Sequence, residues 1–316
     1  MGASYRNPVH DGYFADPFVL SVDGTFYAYG TEPPVDGPLV VPILRSDDLV
    51  HWTALGHALE RPELRTERNY WAPEVAREDG RYYLYYSAGV EDRGHRLRVA
   101  SADRAEGPFR DHGRALTAGD DPFTIDAHPF RDVDGQWYLY YARDFLDGER
   151  VGTALVVDRM LDMETLEGRP RTVLRASSDW QLFARQRSMY GGVHDWHTLE
   201  APFVVRRNGR YYCLYSGGSW LGESYGVSYA VADDPLGPFV EAPGDGPHLL
   251  RSVPGRVVGP GHCSVVTAPD GCDYLVYHAW DPDRVARRMC IDRLEWEADG
   301  PRCAGPTSTP QPLPAG

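Results

Sequence analysis

The sequence predicts an all-β protein that forms a single domain, a five-bladed β-propeller. One hairpin pattern recurs five times along the 316 residues. The copies lie roughly 55–75 residues apart, which is the length of one propeller blade with its loops. Hydrophobic residues make up 42% of the chain, enough to fill the core of one large domain. A β-sandwich also contains short strands and frequent turns, but five copies of one hairpin favour the propeller.

Each copy combines a short apolar strand, an Asp-Gly or Asn-Gly turn, and a Tyr-rich strand with alternating side chains. Asn-Gly and Asp-Gly favour type I′ turns, because both central residues of that turn have positive φ. The copies are DPFVLSVDGTFYAYG (Asp16–Gly30), APEVAREDGRYYLYYSAG (Ala72–Gly89), AHPFRDVDGQWYLYYAR (Ala127–Arg143), APFVVRRNGRYYCLYSGG (Ala201–Gly218) and GHCSVVTAPDGCDYLVYHAW (Gly261–Trp280). Each copy therefore predicts the first two strands of one blade.

Segments with a second common pattern predict the remaining strands. Each reads as a third strand, a polar turn and an outer strand with an aromatic residue. They are RSDDLVHW (Arg45–Trp52), ASADRAEGPFRD (Ala100–Asp111) and AVADDPLGPFVEA (Ala230–Ala242). The longest gap between hairpins, Asp144–Leu199, is predicted to be an insertion or a long loop at the binding face. Residues 1–309 form the predicted domain, and the Pro-rich residues 310–316 a tail that is extended or disordered.

The composition excludes several classes of function. The net charge of −14 argues against nucleic acid and membranes as partners, since both are anionic. All 32 basic residues are arginines. The absence of lysine rules out a Schiff base, a pyridoxal-phosphate lysine and a Walker-type phosphate loop. A neutral sugar suits this acidic chain better.

The cysteines and the first residues bear on where the protein works. Five cysteines without a CxxC pair predict neither a disulfide framework nor a zinc site, which suits a reducing compartment. The first nine residues, MGASYRNPV, show neither the basic nor the apolar region of a signal peptide. We therefore expect the protein in the cytoplasm, although a secreted protein that has lost its leader would look the same.

Candidate site residues stand where the innermost strands of the blades begin. These strand starts meet at one end of the channel of a propeller. The residues are Asp16 in blade 1, Trp71 in blade 2, Asp126 in blade 3, Glu200 in blade 4 and His262 in blade 5. An inverting glycosidase needs a general acid and a general base whose carboxyl groups lie roughly 6.5–9.5 Å apart. A third carboxylate raises the pKa of the acid, and tryptophan offers an apolar wall for a sugar ring, so the pattern indicates glycoside hydrolysis.

The chain resembles glycoside hydrolase family 43, five-bladed propeller enzymes that act on glycans containing arabinose and xylose. The resemblance runs from Asn7 to about Thr309. It is carried by ADPF (Ala15–Phe18), WAPEV (Trp71–Val75), TIDAHPFRDVDGQWYL (Thr124–Leu139), TLEAPFVVRRNGRYYCLYS (Thr198–Ser216) and GPGHCSVV (Gly259–Val266). Each motif alone is weak, but all five in order at blade spacing are specific.

The resemblance implies a role for each polar residue at a strand start. Asp16 matches the general base and Glu200 the general acid. Asp126 matches the carboxylate that orients the acid and raises its pKa. His262 matches a channel histidine that in this family often faces a calcium ion through water, whereas the chemistry itself requires no cofactor.

Other positions bear less directly on the resemblance. Arg287, or as second choice Arg288, matches an arginine that contacts sugar hydroxyls, and strand alternation decides between them. The chain departs from the usual family pattern at Cys263, Ala201 and Ala127, where Asn, Gly and Pro are common. None of these changes removes a carboxylate, but Cys263 makes the metal dependence less certain.

We expect an inverting, exo-acting hydrolase that releases terminal pentose units from plant-type glycans or their oligosaccharides, foremost an α-L-arabinofuranosidase. A β-xylosidase and another furanosidase, such as a galactofuranosidase, are the alternatives within the family. Exo action is expected because the segments Asp144–Leu199 and Arg61–Tyr70 offer walls for a closed pocket. The alternative of a different class is a non-catalytic sugar-binding propeller, which predicts the loss of a carboxylate that this chain retains.

Overall fold

The structure, a computed structural model, describes residues 4–63, 66–117, 119 and 121–314. In these ranges the regular structure is almost entirely β-strand, with a three-residue 3-10 helix at Asp179–Gln181. The strands form five blades, so the predicted all-β propeller is confirmed. Within the described residues, no helix has the length and apolar character needed to cross a membrane. All five cysteines lie in the described part of the chain and are free thiols.

The two ends of the described chain pair with each other. β1 (Ser4–Tyr5) and β24 (Gln311–Pro312) form a two-stranded sheet. The side chain of Asn7 donates to the C=O of Ile291 and accepts from its N–H, which fixes the first segment against blade 5. Two residues of the predicted tail are therefore extended and paired, and the domain boundary at residue 309 stays a prediction.

Blades 1, 2 and 5 are four-stranded antiparallel sheets in sequence order. Blade 1 consists of β2 (Ala15–Val22), β3 (Thr25–Thr31), β4 (Leu39–Ser46) and β5 (Thr53–Glu60). Blade 2 consists of β6 (Asn69–Glu78), β7 (Arg81–Val90), β8 (Arg93–Ala102) and β9 (Arg110–Ala115). Blade 5 consists of β20 (Val258–Thr267), β21 (Asp273–Trp280), β22 (Arg287–Glu297) and β23 (Gly300–Cys303).

Blades 3 and 4 join into one larger sheet. Blade 3 contains β10 (Thr124–Arg131), β11 (Trp137–Phe145), β12 (Gly152–Asp162), β13 (Thr165–Leu166) and β14 (Arg171–Leu174). Blade 4 contains β15 (Leu182–Met189), β16 (Gly192–Arg207), β17 (Arg210–Gly217), β18 (Gly226–Ala232) and β19 (Val240–Glu241). Residues Gly152–Thr153 pair in parallel with His197–Thr198 and so connect the two blades.

The prediction of an insertion or long loop over Asp144–Leu199 was wrong for much of that segment. β12 is the third strand of blade 3, and β14 pairs along it. The remainder includes the β15–β16 hairpin, which turns at Tyr190-Gly191. Both turn residues have positive φ, 53° and 75°, so this hairpin has the backbone of the others without an Asn-Gly or Asp-Gly signal.

The second strands of the blades are buried on both faces, because each blade packs between two neighbours. Adjacent tyrosines are therefore both buried, as in Tyr85 and Tyr86 on β7, which are 0% exposed. Tyr85 donates its O–H to the C=O of Met163 in blade 3 (2.7 Å). Tyr140 of blade 3 donates in the same way to the C=O of Pro235 in blade 4. Since an unpaired buried hydroxyl would cost about 1–3 kcal/mol, these bonds help to fix the packing of neighbouring blades.

The innermost strand of every blade contains a β-bulge close to its start. The residue at each bulge has left-handed φ; these residues are Asp16 (50°), Ala72 (48°), Asp126 (61°), Ala201 (53°) and His262 (49°). A bulge changes the direction of a side chain and takes one N–H group out of the regular ladder. The five bulges therefore position a ring of residues at the channel mouth.

Candidate active site

Three polar bulge residues, Asp16, Asp126 and His262, meet at the channel mouth. Nδ1 of His262 lies 3.5 Å from Oδ1 of Asp16 and 4.0 Å from Oδ2 of Asp126. All three residues are buried, with at most 8% of each exposed. The structure thus brings together three residues that lie more than one blade apart in the sequence.

Glu200 and Trp71 occupy a different position from these three. Each precedes the bulge residue of its blade, so the predicted equivalence of the five strand starts was wrong by one residue in blades 4 and 2. Because successive side chains of a strand point in opposite directions, Glu200 is displaced from the ring of bulge residues. It remains partly exposed, and its Oε1 accepts a hydrogen bond from the hydroxyl of Tyr225 (2.6 Å).

The bulge N–H groups find acceptors on the preceding blade. The N–H of Ala72 donates to Oγ1 of Thr31, and that of His262 donates to Oγ of Ser216, both at 2.8 Å. Each acceptor lies near the end of the second strand of its blade, opposite the residue before the bulge. These bonds satisfy backbone groups that the bulges remove from the ladder.

Blade 3 departs from this pattern, and the departure holds Asp126 in place. At the position that corresponds to Thr31 and Ser216, blade 3 has Ala142, which offers no side-chain acceptor. The N–H of Ala201 donates instead to Oδ2 of Asp126 (2.9 Å). The backbone next to Glu200 therefore fixes the neighbouring carboxylate.

Asp16 lies among groups that stabilise its ionised form. Its Oδ1 lies 3.2 Å from Nη1 of Arg287, and its backbone N–H donates to Nδ1 of His278 (3.0 Å). Burial alone would raise the pKa of Asp16, but the positive charge of Arg287 overcomes this and holds the pKa well below its usual range. Burial lowers the pKa of His278 to about 4, so that ring is neutral near pH 7. Asp16 is therefore ionised at neutral pH, the state in which a carboxylate accepts a proton from water.

Glu200 and Asp126 have the opposite electrostatic environment. Burial raises the pKa of Glu200 to about 7; the hydrogen bond from Tyr225 opposes this shift and the charge of Asp16 adds to it. Burial also raises the pKa of Asp126 well above its usual range, and the charges of Glu200 and Asp16 add to that shift. Two neighbouring carboxylates in such a site do not readily ionise together. The pair therefore retains a proton near neutral pH, as a general acid requires.

Arg287 faces the site, whereas Arg288 pairs with a carboxylate elsewhere in blade 5. The guanidinium of Arg287 lies 4.7 Å from the ring centroid of Trp220, 5.7 Å from that of Tyr13 and 5.9 Å from that of Trp280. The two indole rings stack on each other with centroids 6.0 Å apart. The sequence analysis did not identify these aromatic residues. The one available signal was the position of Trp280 at the end of a recognised hairpin, which is the end that borders the channel mouth.

Trp71 is partly exposed, and one face of its indole is covered. It stacks on His95 with ring centroids 3.8 Å apart. Burial lowers the pKa of His95 to about 4, and its Nε2 lies 2.9 Å from the C=O of Glu91. A Cβ at Gly89 would lie 2.2 Å from the His95 ring, so glycine leaves the space that the ring occupies. His95, which the sequence analysis missed, therefore fixes the tryptophan that we predicted to contact sugar.

The surroundings of His262 limit how a metal ion could be held there. Calcium takes about six to eight oxygen ligands. His262 offers a nitrogen, and the nearest carboxylate oxygen, Oδ1 of Asp16, is already paired with Arg287. In the part of the chain that the structure describes, no group of three or more His, Cys, Asp or Glu side chains is placed to bind an ion. An ion at the channel mouth would have to be held through water, and the expected calcium stays a prediction.

Cleavage of a glycosidic bond requires one ionised carboxylate and one that keeps its proton. Asp16 and Glu200 are in these two states near neutral pH, and both stand near the start of an innermost strand of a five-bladed propeller, which places the molecule among the propeller glycosidases. The family described as "Glycosyl hydrolases family 43" matches residues 5–301. The chain belongs to this family, so the resemblance found in the sequence is confirmed.

Individual relatives and solved structures agree with the family. The β-D-galactofuranosidase xynD of Aspergillus niger is 31% identical over 93% of this chain and 83% of its own length. An extracellular exo-α-(1->5)-L-arabinofuranosidase of Streptomyces chartreusis is 27% identical, over 88% of this chain and 83% of its own. A thermostable family-43 glycoside hydrolase of known structure has 32% identity and a TM-score of 0.86, with 99% of both chains covered. The protein is therefore a glycoside hydrolase that acts on O-glycosyl bonds.

Proposed function

We propose that the protein is an inverting, exo-acting α-L-arabinofuranosidase. The observation that carries this proposal is the contrast between Asp16, ionised beside Arg287, and Glu200, whose pKa is raised to about 7. A single-displacement reaction needs an ionised base and a protonated acid at the same time. The proposed substrate is a neutral oligosaccharide or polysaccharide with terminal arabinofuranosyl units.

In the proposed reaction, Asp16 accepts a proton from a water molecule as the water oxygen bonds to the anomeric carbon. Glu200 donates its proton to the leaving oxygen as the glycosidic bond breaks, so the anomeric configuration inverts. Asp126 is fixed by the N–H of Ala201, and because two neighbouring carboxylates do not readily ionise together, Asp126 and Glu200 retain a proton between them near neutral pH. Solvent then takes the proton from Asp16 and returns one to Glu200.

The walls around Asp16 support exo action. The stacked rings of Trp220 and Trp280 and the ring of Tyr13 surround Arg287 on the Asp16 side. A wall that closes this side of the site would admit one terminal sugar and exclude a chain that continues through it. The segment 61–70, which the sequence predicts as another wall, includes residues 64 and 65, and these two lie outside the described residues.

The relatives support the choice of sugar. They are described as arabinofuranosidase, xylosidase/arabinosidase and galactofuranosidase. A β-D-galactofuranoside has the ring configuration of an α-L-arabinofuranoside with one more carbon in its side chain, so one pocket can hold the common part. Galactofuranosidase is the second candidate because the Aspergillus niger enzyme is 31% identical to this chain. A β-xylosidase, which binds a six-membered ring, is the third.

A substrate panel tests this proposal. It contains nitrophenyl α-L-arabinofuranoside, β-D-galactofuranoside and β-D-xylopyranoside together with arabinan oligosaccharides. We expect the highest kcat/KM on the arabinofuranoside, release of single arabinose units, and an inverted first product by proton NMR. A higher kcat/KM on either other glycoside would select that candidate, and a retained anomer or internal cleavage would contradict the mechanism. Binding without any hydrolysis would identify a non-catalytic sugar-binding propeller.

The pH dependence of kcat/KM should reflect the raised pKa of Glu200 and the lowered pKa of Asp16. Glu200 acts in its protonated form, so activity should fall tenfold per pH unit above its pKa of about 7. Asp16 acts in its ionised form and its pKa is lowered, so activity should persist well into the acid range. Tyr225→Phe removes the hydrogen bond that favours ionised Glu200, which should move the alkaline decline upward by about 0.5–1 pH unit.

The matched control for this shift is Tyr277→Phe. Tyr277 is another buried tyrosine whose O–H donates to a carboxylate, Asp292, at 2.7 Å. Its loss should leave the pH profile of kcat/KM unchanged. If the alkaline decline of kcat/KM in Tyr225→Phe occurs at the same pH as in the wild type, or at a lower pH, Glu200 is not the group that must be protonated.

We also propose that hydrolysis requires no cofactor and that a calcium ion in the channel, if bound, is held through water beside His262. Removal of divalent ions with a chelator should then leave kcat/KM within about twofold, because no cluster of ligating side chains is present among the described residues. A tenfold loss that calcium restores would contradict the proposal. Kinetic assays before and after dialysis, with added magnesium as a control, measure this.

Two expectations from the sequence stay predictions. The net charge of −14 supports the proposed absence of nucleic-acid and membrane partners. Binding assays with DNA fragments and anionic vesicles at low salt test it, and saturable binding of either would contradict it. The cytoplasmic location is tested by cell fractionation, where recovery of the protein outside the cells would overturn it.

A further inference from the structure

The β15–β16 hairpin forms one wall of a large cavity outside the carboxylate cluster. The cavity has a volume of about 830 Å³, within the range of small-molecule sites. We call it the hairpin cavity. Its lining includes Asp92, Gly94, Pro122, Arg187, Tyr190 and Val193.

The hairpin cavity lies on the same face of the propeller as the carboxylates. The innermost strands begin at that face, as Asp16 and Asp126 show. In antiparallel blades, the second strand ends and the third strand begins at that same face. The turn between β7 and β8, which contributes Asp92, and the approach to β10, which contributes Pro122, therefore border the active site.

The cavity lies on the side of Glu200 rather than that of Asp16. Tyr190 at the hairpin tip donates its O–H to Oδ2 of Asp144 (2.7 Å), and Thr153 donates to Oδ1 (2.8 Å). Thr153 pairs with Thr198, two residues before Glu200. Because Glu200 protonates the leaving oxygen, this is the side on which the leaving group of the substrate must lie.

A second set of contacts connects the cavity to Trp71. Trp71 stacks on His95, which follows Gly94 of the cavity lining. The ring of His95 also packs edge-on against Phe123, which follows Pro122 of the lining (centroids 5.5 Å apart). Two residues of the cavity lining are therefore the chain neighbours of residues that pack around Trp71.

Tyr190 is an unusual residue for the position that it occupies. Its φ is 53°, a conformation that bulky residues rarely adopt and that Asn or Gly would take at lower cost. Yet 42% of the residue is exposed and its hydroxyl is fixed by Asp144. The turn thus holds an aromatic ring in a fixed place at the cavity, although turn formation alone would favour another residue.

The remaining groups suit a neutral, hydroxyl-rich ligand. Nη2 of Arg187 lies 2.8 Å from Oδ2 of Asp92, so these two charges offset each other, and the exposed Arg93, 3.8 Å from the other oxygen of Asp92, adds one further cation to the lining. The guanidinium also packs 4.7 Å from the ring centroid of Phe183 and 5.5 Å from that of Trp196, which fixes its plane. A fixed aromatic ring beside paired donors and acceptors is the combination that binds sugars.

We propose that the hairpin cavity binds neutral sugar residues of the leaving group, beyond the residue whose bond is cleaved. This proposal rests on the proposed function, because it assigns the leaving group to the side of Glu200. It makes the enzyme selective for oligosaccharides over small aryl glycosides. The Tyr190 ring is the principal contact, and Asp144 positions it.

The test measures kcat/KM for a nitrophenyl glycoside and for oligosaccharides of two to four residues. In the wild type, kcat/KM should rise with length until the cavity is filled. Tyr190→Asn suits the turn but removes the ring, so the ratio of kcat/KM for the tetrasaccharide to that for the aryl glycoside should fall about fivefold. Tyr190→Phe keeps the ring and should retain most of the ratio. The control Asp79→Asn changes a left-handed turn residue between β6 and β7, at the opposite face, and should change neither value.

Three outcomes would overturn the proposal. They are a wild-type kcat/KM that does not depend on length, an unchanged ratio in Tyr190→Asn, and a length effect confined to oligosaccharides that carry uronic acids. Calorimetric titration of Glu200→Gln with the same oligosaccharides keeps the test independent of catalysis. Affinity that rises with length and falls in the double variant with Tyr190→Asn would support the cavity even if no substrate is cleaved. Failure of the proposed function alone would instead appear as wild-type binding without hydrolysis.

Discussion

Asp16→Asn is expected to lower kcat/KM by about a thousandfold or more on every glycoside, whatever its leaving group. Asparagine has the shape of the carboxylate but cannot accept the proton of the attacking water. General acid–base catalysis by one group contributes about a hundredfold to ten-thousandfold, and neither His278 nor Arg287 can replace Asp16. His278 is a neutral ring whose Nδ1 is occupied by the N–H of Asp16, and Arg287 is a cation.

Loss of folding must be separated from loss of the base in this variant. Asp16 is a buried partner of Arg287, and removal of one partner from a buried ion pair costs about 3–5 kcal/mol. We expect a lower Tm and an unchanged circular dichroism spectrum at room temperature. Added azide needs no base and should restore turnover, with a glycosyl azide of inverted configuration as the product. The control Asp11→Asn changes an exposed aspartate of the same segment and should retain full activity.

A tenth or more of the activity left in folded Asp16→Asn would exclude Asp16 as the general base. A glycosyl azide of retained configuration would exclude the inverting mechanism instead. The two results separate the role of the residue from the stereochemistry of the reaction. Steady-state kinetics and proton NMR of the product are sufficient measurements.

The hairpins could be predicted because their signals are local. In the turn between β2 and β3, Asp23 and Gly24 have φ of 50° and 82°, and Asp-Gly takes these values at low cost. The alternation of apolar and polar side chains and the position of the turn residues then indicate the same start for each strand. Since Asp16 and Asp126 stand at such starts, their meeting at the channel followed from the fold alone.

The bulges explain the error of one residue in blades 2 and 4. Ala72 and Ala201 have φ of 48° and 53°, although alanine has no preference for that conformation. The packing of the blades around the channel imposes it, and the sequence of a single strand does not show it. Trp71 and Glu200 thus came out as equivalents of Asp16, while the structure places them one residue earlier.

The groups that adjust the carboxylates come from distant parts of the chain. Tyr225, which donates to Glu200, precedes β18, and His278, which accepts from the backbone N–H of Asp16, lies near the end of the second strand of blade 5. Tyr225 belongs to no recognised motif, and His278 lies in a hairpin copy whose pattern does not single it out; His278 acquires its partner only when blades 5 and 1 pack together. Ala142 shows the same limit, because the lack of a side-chain acceptor matters only once Ala201 lies opposite Asp126. Local patterns therefore located the reacting carboxylates but not the groups that set their protonation.

Glu200→Gln is expected to lower kcat/KM according to the leaving group of the substrate. Glutamine cannot protonate the departing oxygen, so glycosides of sugars should lose about a hundredfold to ten-thousandfold. A dinitrophenolate leaves readily without a proton, so the dinitrophenyl glycoside should lose less than about tenfold. The dependence of the loss on the leaving group distinguishes an acid from a base. Asp16→Asn should lower kcat/KM for the sugar glycosides and for the dinitrophenyl glycoside alike.

Two further observations make the assignment of Glu200 specific. Glu200→Gln has no ionisable group at this position, so the alkaline decline above pH 7 should disappear for the dinitrophenyl glycoside. The control Glu295→Gln changes an exposed glutamate on β22 and should leave both the dependence on the leaving group and the decline as in the wild type. Equal losses on all leaving groups in Glu200→Gln would show that the proton comes from elsewhere. Asp126, whose pKa is also raised, would then be the acid, and the same leaving-group series on Asp126→Asn would reveal it.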